Sequence, residues 1–474
     1  MTTESRKPAN DQLQASDVPA GFVPTPSESY RAHRKLARLT KEPAAAAPGP
    51  FPIPTPIPIP SPIPFIFGSR VLMWKQDPSV TEIGIRKAYL PGLTSTGPRD
   101  SRIVSGSPGI PAVSPNALGD FIVAPNTDEF DAVHTFTVVR QTLTMYQRAL
   151  ASGSSAAPLP WQWNSASNTE ALKVFPHGLP NTMNAFYARS EKSLKFGDFV
   201  PNGSTARVFT CRSLDIVSHE TGHAVLDGLK PGWLLASNPP QTGGLHESFG
   251  DMTAIFLTLS QLDQAEAVIA QTKGNLHDKT FLADMAEQFG LALGRPNGLR
   301  NADNDLKLSE VGNEVHAISQ VFTGAIYDIL ADIFAFDRKP SLKDDAVVLH
   351  DTGAYLCSLV LRAIIASPAT AATFAHVANN MLTIANSDGK PVQYRNFIRN
   401  RFNLREVIVS PTPLTANHVA GPMLAAHITD QPGAMQDRRT CCGTMTLHEH
   451  SGGIDALNKE IEEFQKAMQA HPRG

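Results

Sequence analysis

The stretch SLDIVSHETGHAVLDGL, residues 213–229, predicts an amphipathic helix over residues 213–228 that ends before Pro231. His219 and His223 stand four residues apart, so in a helix their imidazoles project from one face, about one turn apart. That separation lets two ring nitrogens reach one zinc ion at about 2.0–2.1 Å. Glu220 is rotated off the ligand face, where it can serve as a general base without binding the metal.

One residue of this helix opposes the prediction. Gly222 lies inside the helix and costs about 1 kcal/mol relative to alanine. We therefore expect a small residue to be needed there for close packing against another element.

A catalytic zinc ion needs a third protein ligand and one open position. HESFGD, residues 246–251, opens the next helical pattern after the glycine pair at 243–244. Glu247 can supply the third ligand. Asp251, on the same helix face, can accept a hydrogen bond from the outer nitrogen of a zinc-binding histidine. Taken alone, this segment is better interpreted as an exposed acidic face.

The two motifs together resemble those of the thermolysin-like zinc metallopeptidases, the gluzincins, whose third ligand is a glutamate on a following helix. Further segments are similar to that family in the expected order: Asn184–Tyr187 with 196–198 as its substrate-binding edge strand, Leu299–Arg300, the helix-opening Asn313–His316, and the helical pattern at 130–150. The resemblance covers residues 120–335 in detail and 68–410 in outline.

The resemblance implies an α+β fold: a thermolysin-like two-lobed catalytic domain, with a β-rich N-terminal lobe, a helical C-terminal lobe and zinc between them. It implies peptide-bond hydrolysis by a zinc-activated water with Glu220 as the base. His316, expected to be neutral because it opens a helix, would donate to the oxyanion. Asn184, Ala185 and Arg300 would align a peptide or protein substrate.

The sequence also departs from the family pattern. His246 stands where the family has asparagine, so the outer hydrogen bonding of His223 is expected to differ. The family's tyrosine between the two motifs has no clear counterpart, since the nearby Trp233 cannot donate a hydroxyl. No aspartate is aligned to orient His316, so Glu310 or Glu314 would have to do so. The acidic residues that bind paired calcium ions are mostly missing, although Asp215 is kept, so one zinc ion is predicted and a calcium requirement is not.

Four regions are expected along the chain: a polar arm with a proline-rich, extended and disordered segment (1–67), the β-rich lobe ending in the zinc-binding helix (68–228), the helical lobe (229–410), and an irregular tail with a terminal helix (411–474). RVLMW (70–74) and DFIVA (120–124) are predicted as strands. The later helices are predicted at 247–263, 279–293, 316–336, 346–366 and 369–386.

Composition narrows the class of protein. The 474 residues are 42% hydrophobic and 18% charged, with a net charge of −3, so we expect no nucleic-acid partner. No apolar run approaches the roughly 18 residues of a membrane span. The N-terminal sequence is polar and lacks the apolar core of a secretory signal, so we expect a cytoplasmic protein or export by a non-classical route. Four cysteines do not form a disulfide framework.

Three alternatives to a housekeeping peptidase are open at this point. One is an inactive, zinc-stabilised scaffold or binding protein on the same fold. A second is a proteolytic effector delivered by another machine, with residues 1–67 docking to a partner. In the third, residues 1–67 block the catalytic cleft of a zymogen.

Overall fold

The computed structural model describes residues 68–407, apart from 93, 107–108, 152–157, 202 and 296–297, together with residues 442–443. The described residues all belong to one unit of the chain, 66–474. The predictions for residues 1–67, and for the tail beyond residue 407 except 442–443, lie outside the described residues.

Strands dominate the first part of the described chain. The strands of this part are β1 (Gly68–Trp74), β2 (Ile85–Pro91), β3 (Ile103–Ser105), β4 (Leu172–Leu179), β5 (Ala185–Ala188), β6 (Ser193–Phe199) and β7 (Val208–Phe209). Three two-residue strands follow later in the chain: β8 (Asp284–Met285), β9 (Arg300–Asn301) and β10 (Cys442–Gly443). The principal sheet has the order β10-β5-β6-β4-β3, with β7 paired to β6. Its β3–β4 and β4–β6 pairs are parallel, whereas β5 is antiparallel to both β6 and β10.

Helices dominate from residue 214 onwards. The helices of the described residues are α1 (Asp128–Ala151), which precedes this region, and then α2 (Leu214–Leu229), α3 (Pro240–Leu259), α4 (Leu262–Thr272), α5 (Glu287–Ala292), α6 (Val315–Asp337), α7 (Asp345–Ala366), α8 (Phe374–Ser387) and α9 (Val392–Leu404). The structure is therefore α+β, as the sequence predicted, with most strands preceding most helices.

Helix α2 forms where its sequence predicts. The side chain of Ser213 caps it by accepting a hydrogen bond from the backbone N–H of Ile216. The helix ends at Leu229, and Pro231 begins a single 3₁₀ turn, because proline cannot donate the next helical hydrogen bond. This predicted boundary is confirmed to within one residue.

Helix α3 packs between α2 and α6, in the interior of the helical half. It begins at Pro240, seven residues before the predicted start, and it includes the glycine pair at 243–244. A β-carbon on Gly244 would lie 2.7 Å from Cγ2 of Ile318, so this glycine permits a close approach of α3 to α6 rather than a turn. Packing here overrides the helix-breaking tendency of glycine.

Two predictions of secondary structure are wrong. Residues 120–124 do not form a strand: Phe121 makes one isolated bridge to Val71, and the carboxylate of Asp120 binds Arg70. Residues 279–293 are not one helix, because β8 pairs with β9 and Ala286 takes a left-handed φ of 52° that interrupts the helical backbone.

Two helices, α6 and α7, are long and apolar enough to cross a membrane by length and composition. In the structure 89% of the apolar window of α6 and 67% of that of α7 are buried inside the protein. That burial is typical of core helices, so the two segments are only a weak indication of a membrane span.

Candidate metal centre

Helix α2 brings two imidazoles to one buried point. The rings of His219 and His223 lie with centroids 4.6 Å apart and planes at 90°, and both side chains are buried. This follows from their four-residue spacing, which places both rings on the helix face that packs against α3.

Two glycines allow α3 to approach that face. A β-carbon at Gly222 would lie 2.5 Å from Oγ1 of Thr253 on α3, so the expectation of close packing at this position is confirmed. A β-carbon at Gly250 would lie 2.6 Å from Cε1 and Nδ1 of His219. Sequence analysis did not identify Gly250, whose role depends on a contact between residues distant in sequence.

Glu247 on α3 completes a set of three ligand atoms. Its Oε2 lies 3.6 Å from Nε2 of His219 and 3.8 Å from Nε2 of His223. Ligand atoms at about 2.0–2.1 Å from a tetrahedral ion are separated by about 3.3 Å, so the spacing fits a shared metal ion. All three atoms are buried, and none has a hydrogen-bond partner among the described residues. Since buried polar atoms are normally satisfied, these residues can hold a metal ion.

An ion pair lies behind the first histidine. Oδ1 of Asp251 lies 3.1 Å from Nδ1 of His219, and Nη2 of Arg300 lies 2.9 Å from the same oxygen. Burial opposes a charge on His219, but the carboxylates of Asp251 and Glu247 raise its pKa to about 9. Burial likewise opposes ionisation of Asp251, but the charge of Arg300 holds the pKa of that carboxyl below its ordinary value.

A third imidazole lies behind the second histidine. Nδ1 of His246 lies 2.8 Å from Nδ1 of His223, and the two rings are stacked at 26°. When Nε2 of His223 offers its lone pair to a metal, Nδ1 carries the proton and donates it to His246. The difference in outer bonding that we expected from His246 is therefore a histidine–histidine hydrogen bond, which sequence alone did not identify. Burial lowers the pKa of His223 well below its ordinary value, which keeps that ring neutral.

The carboxylate of Glu220 is held beside the ligands by the sheet. The backbone N–H of Tyr187, on β5, donates to Oε2 of Glu220 at 3.0 Å. The Tyr187 hydroxyl donates to Asp227 at 2.8 Å, at the far end of α2. These two bonds fix β5 along the helix that carries the histidines, so the edge strand and the centre are positioned together.

His316 opens α6 and faces Glu247. Its Nε2 lies 3.3 Å from Oε2 of Glu247, and its Nδ1 lies 2.8 Å from Oε1 of Glu314. Glu314 also caps α6 by accepting from the N–H of Ala317 at 2.7 Å. Of the two carboxylates considered from the sequence, Glu314 therefore contacts the histidine, whereas Glu310 accepts from the backbone N–H of Lys307.

The carboxylates around His316 oppose the expected neutral ring. Burial opposes its charge, but the carboxylates of Glu247 and Glu314 raise its pKa well above the ordinary value. These two charges outweigh the helix N-terminus, which would favour the neutral ring. The pKa of Glu314 is correspondingly lowered to about 2, because His316 and two backbone N–H groups outweigh the effect of burial.

The remaining predicted residues support β5 or the core. Asn184 precedes β5, where its Oδ1 accepts from the N–H of Ala185 at 2.8 Å and its carbonyl accepts from Gly197 at 2.9 Å. Ala185 is buried opposite Phe196 of β6. Trp233 is buried, and its indole N–H donates to the carbonyl of Pro368 at 2.9 Å.

Two other groups of side chains in the described part of the chain have metal-ligand spacing. They are Asp131–His177–Cys211 and His277–Asp303–Asp328. In the first, Arg212 binds both oxygens of Asp131 at 2.7 and 2.9 Å. In the second, Arg405 binds Asp328 at 2.8 Å, and His277 is partly exposed. Because arginines already neutralise these carboxylates, the centre at α2 and α3 is the stronger candidate.

No protein-family model matches this chain, and no curated protein matches it. The residues of the candidate metal centre therefore carry the assignment of function by themselves.

Proposed function

We propose that this chain is a zinc-dependent endopeptidase with a thermolysin-like two-lobed catalytic domain. His219, His223 and Glu247 would hold one zinc ion, because two imidazoles and one carboxylate are a donor set of catalytic zinc sites that keep a fourth position open. Zinc bound there supplies Lewis-acid chemistry, polarising a carbonyl and lowering the pKa of water. The strand-rich first half and helical second half support the two-lobed arrangement.

The observation that carries the proposal is the position of Glu220. It follows the ligand His219 directly on α2, it is fully buried, and the N–H of Tyr187 holds its carboxylate. A buried carboxylate needs hydrogen bonds merely to offset the cost of losing its water, so Glu220 gives no advantage in stability over an apolar residue at this position. A purely structural metal site has no use for this group, whereas hydrolysis needs a general base.

Two residues of the chain would act on the substrate: one transfers protons and the other stabilises the transition state. Glu220 accepts the proton of the attacking water and delivers it to the leaving amine. His316, oriented by Glu314, donates a hydrogen bond from Nε2 to the oxyanion that develops on the scissile carbonyl. Such a donor typically contributes about 3–4 kcal/mol to transition-state stabilisation.

The proposed substrate is a polypeptide in extended conformation. It would add as a strand along β5, next to Glu220, where main-chain hydrogen bonds hold an extended peptide irrespective of its side chains. Asn184 and Ala185 would align it by fixing the start of β5. Arg300, paired with Asp251, would act on the centre by keeping that carboxylate against His219.

The test compares wild type, Glu220→Gln and the exposed control Glu266→Gln for metal content and for cleavage of a quenched casein substrate. We expect all three to bind one zinc ion per chain, and only wild type and the control to cleave. Full cleavage by Glu220→Gln would contradict the proposed mechanism. If all three bind zinc and none cleaves, the zinc-stabilised scaffold is the better assignment.

A further inference from the structure

A short strand from the C-terminal tail lies on the edge of β5. In β10, Cys442 pairs with Tyr187 and Gly443 pairs with Phe186, in antiparallel register. The other edge of β5 pairs with β6, so β10 takes the remaining edge of this strand. The sequence prediction of an irregular tail did not anticipate this pairing.

The paired residues place the tail strand beside the proposed catalytic base. Tyr187, opposite Cys442, is the residue whose backbone N–H donates to Glu220. Strand β10 also contacts α2, the helix that carries both histidine ligands. The tail is therefore attached to the sheet edge nearest to the candidate metal centre.

We propose that the edge of β5 is a strand-addition surface and that Cys442–Gly443 is its resident occupant, which competes with the substrate polypeptide. The inference rests on the proposed function, because an extended substrate would pair with the same edge. One sheet edge can pair with only one strand at a time. The tail and a substrate spanning Phe186 and Tyr187 therefore exclude each other.

The pairing of β10 with β5 is short, and its occupancy depends on both strands belonging to one chain. Two paired residues supply few hydrogen bonds, but the pairing is intramolecular, so its occupancy does not depend on the concentration of the protein. A weak pairing can then be occupied in the free protein and still yield to a saturating substrate. Competition of this kind raises KM and leaves kcat unchanged.

The test is the Gly443→Pro variant of the full chain, with Gly453→Pro as the matched control in the same tail. Proline removes a backbone N–H and fixes φ, which disfavours pairing in a strand. Two quantities are measured: hydrogen–deuterium exchange of fragments containing residues 185–188, and KM and kcat for peptide cleavage. The first needs no catalytic activity.

We expect Gly443→Pro to speed exchange at residues 185–188 by roughly threefold or more and to lower KM by roughly three- to tenfold with kcat unchanged. The control should match wild type in both. Unchanged exchange would overturn the inference whether or not the protein cleaves peptides. Faster exchange with unchanged KM would overturn the competition, and faster exchange in a protein that cleaves nothing would refute the proposed function while leaving the strand pairing intact.

Discussion

Nδ1 of His223 and Nδ1 of His246 lie 2.8 Å apart, so two imidazoles meet directly behind the candidate metal centre. The acceptor nitrogen of His246 fixes the tautomer of His223 in which Nε2 is available to a metal. Both side chains are buried, so water does not easily replace the missing partner if the pair is broken.

The first prediction concerns this pair. His246→Leu should weaken zinc binding by about 10- to 100-fold, because it removes the acceptor that orients His223. His246→Asn should retain most of the affinity, because an amide oxygen can accept the same hydrogen bond. Chelator competition measures both dissociation constants, and equal affinity in the leucine variant and wild type would refute the role of His246.

The second prediction concerns the packing of α3 on α2. Gly250→Ala should weaken metal binding strongly, because the new β-carbon would lie 2.6 Å from the ring of His219. Gly84→Ala is the matched control, since a β-carbon there would have no neighbour within 4 Å. Metal content after dialysis against a weak chelator is the measurement. Full metal content in Gly250→Ala would contradict the prediction, because it would show that α2 and α3 can move apart without weakening metal binding.

The third prediction concerns the pair at the start of α6. Glu314→Gln removes a negative charge 2.8 Å from Nδ1 of His316, so the pKa of His316 should fall and any limb of the pH–rate profile that it controls should move to lower pH. His316→Ala should lower kcat by about 10²–10³-fold. Glu310→Gln is the control, because Glu310 binds Lys307 instead. A profile unchanged by Glu314→Gln would exclude Glu314 as the positioning residue.

The fourth prediction concerns His134, a buried histidine of α1 outside the centre. Burial lowers its pKa to about 4, so the unfolded chain binds more protons than the folded one below about pH 6.5. The contribution of the neutral ring to the free energy of unfolding should therefore be complete above pH 6.5 and fall by about 3 kcal/mol as the pH drops towards 4. Urea unfolding at several pH values in this range should give a free energy of unfolding that falls less steeply with decreasing pH in His134→Leu than in wild type. An equal pH dependence of the free energy of unfolding in the two proteins would contradict the low pKa of His134.

Local patterns predicted several elements because the residues that specify them are close in sequence. Helix α2 begins and ends within one residue of its prediction, since Ser213 and Pro231 act on their own neighbours. The long apolar patterns of α6 and α7 were placed equally closely. The helix at Val392–Leu404 was missed, because its composition is largely polar and only Tyr394, Ile398 and Phe402 are buried.

The errors arise where distant segments meet. The region 279–293 has a helical pattern, but β8 finds a partner in β9, and that pairing divides it. The helix was predicted to start after the glycine pair at 243–244, but α6 comes so close to Gly244 that a glycine is needed within the helix. A pattern read along the chain contains no information about which segment will lie opposite it.

The sequence by itself determined that His219 and His223 share a helix face with Glu220 beside them, because the 3.6-residue period leaves no other arrangement. The second motif predicted Glu247 and Asp251 as candidates, but only the tertiary structure decided that these groups meet the histidines. Glu247 comes from another helix, and the partners behind the two histidines, Asp251 and His246, act through contacts between elements. The spacing of residues along one helix determines which side chains share a face, whereas hydrogen bonding across a buried interface depends on how the helices pack.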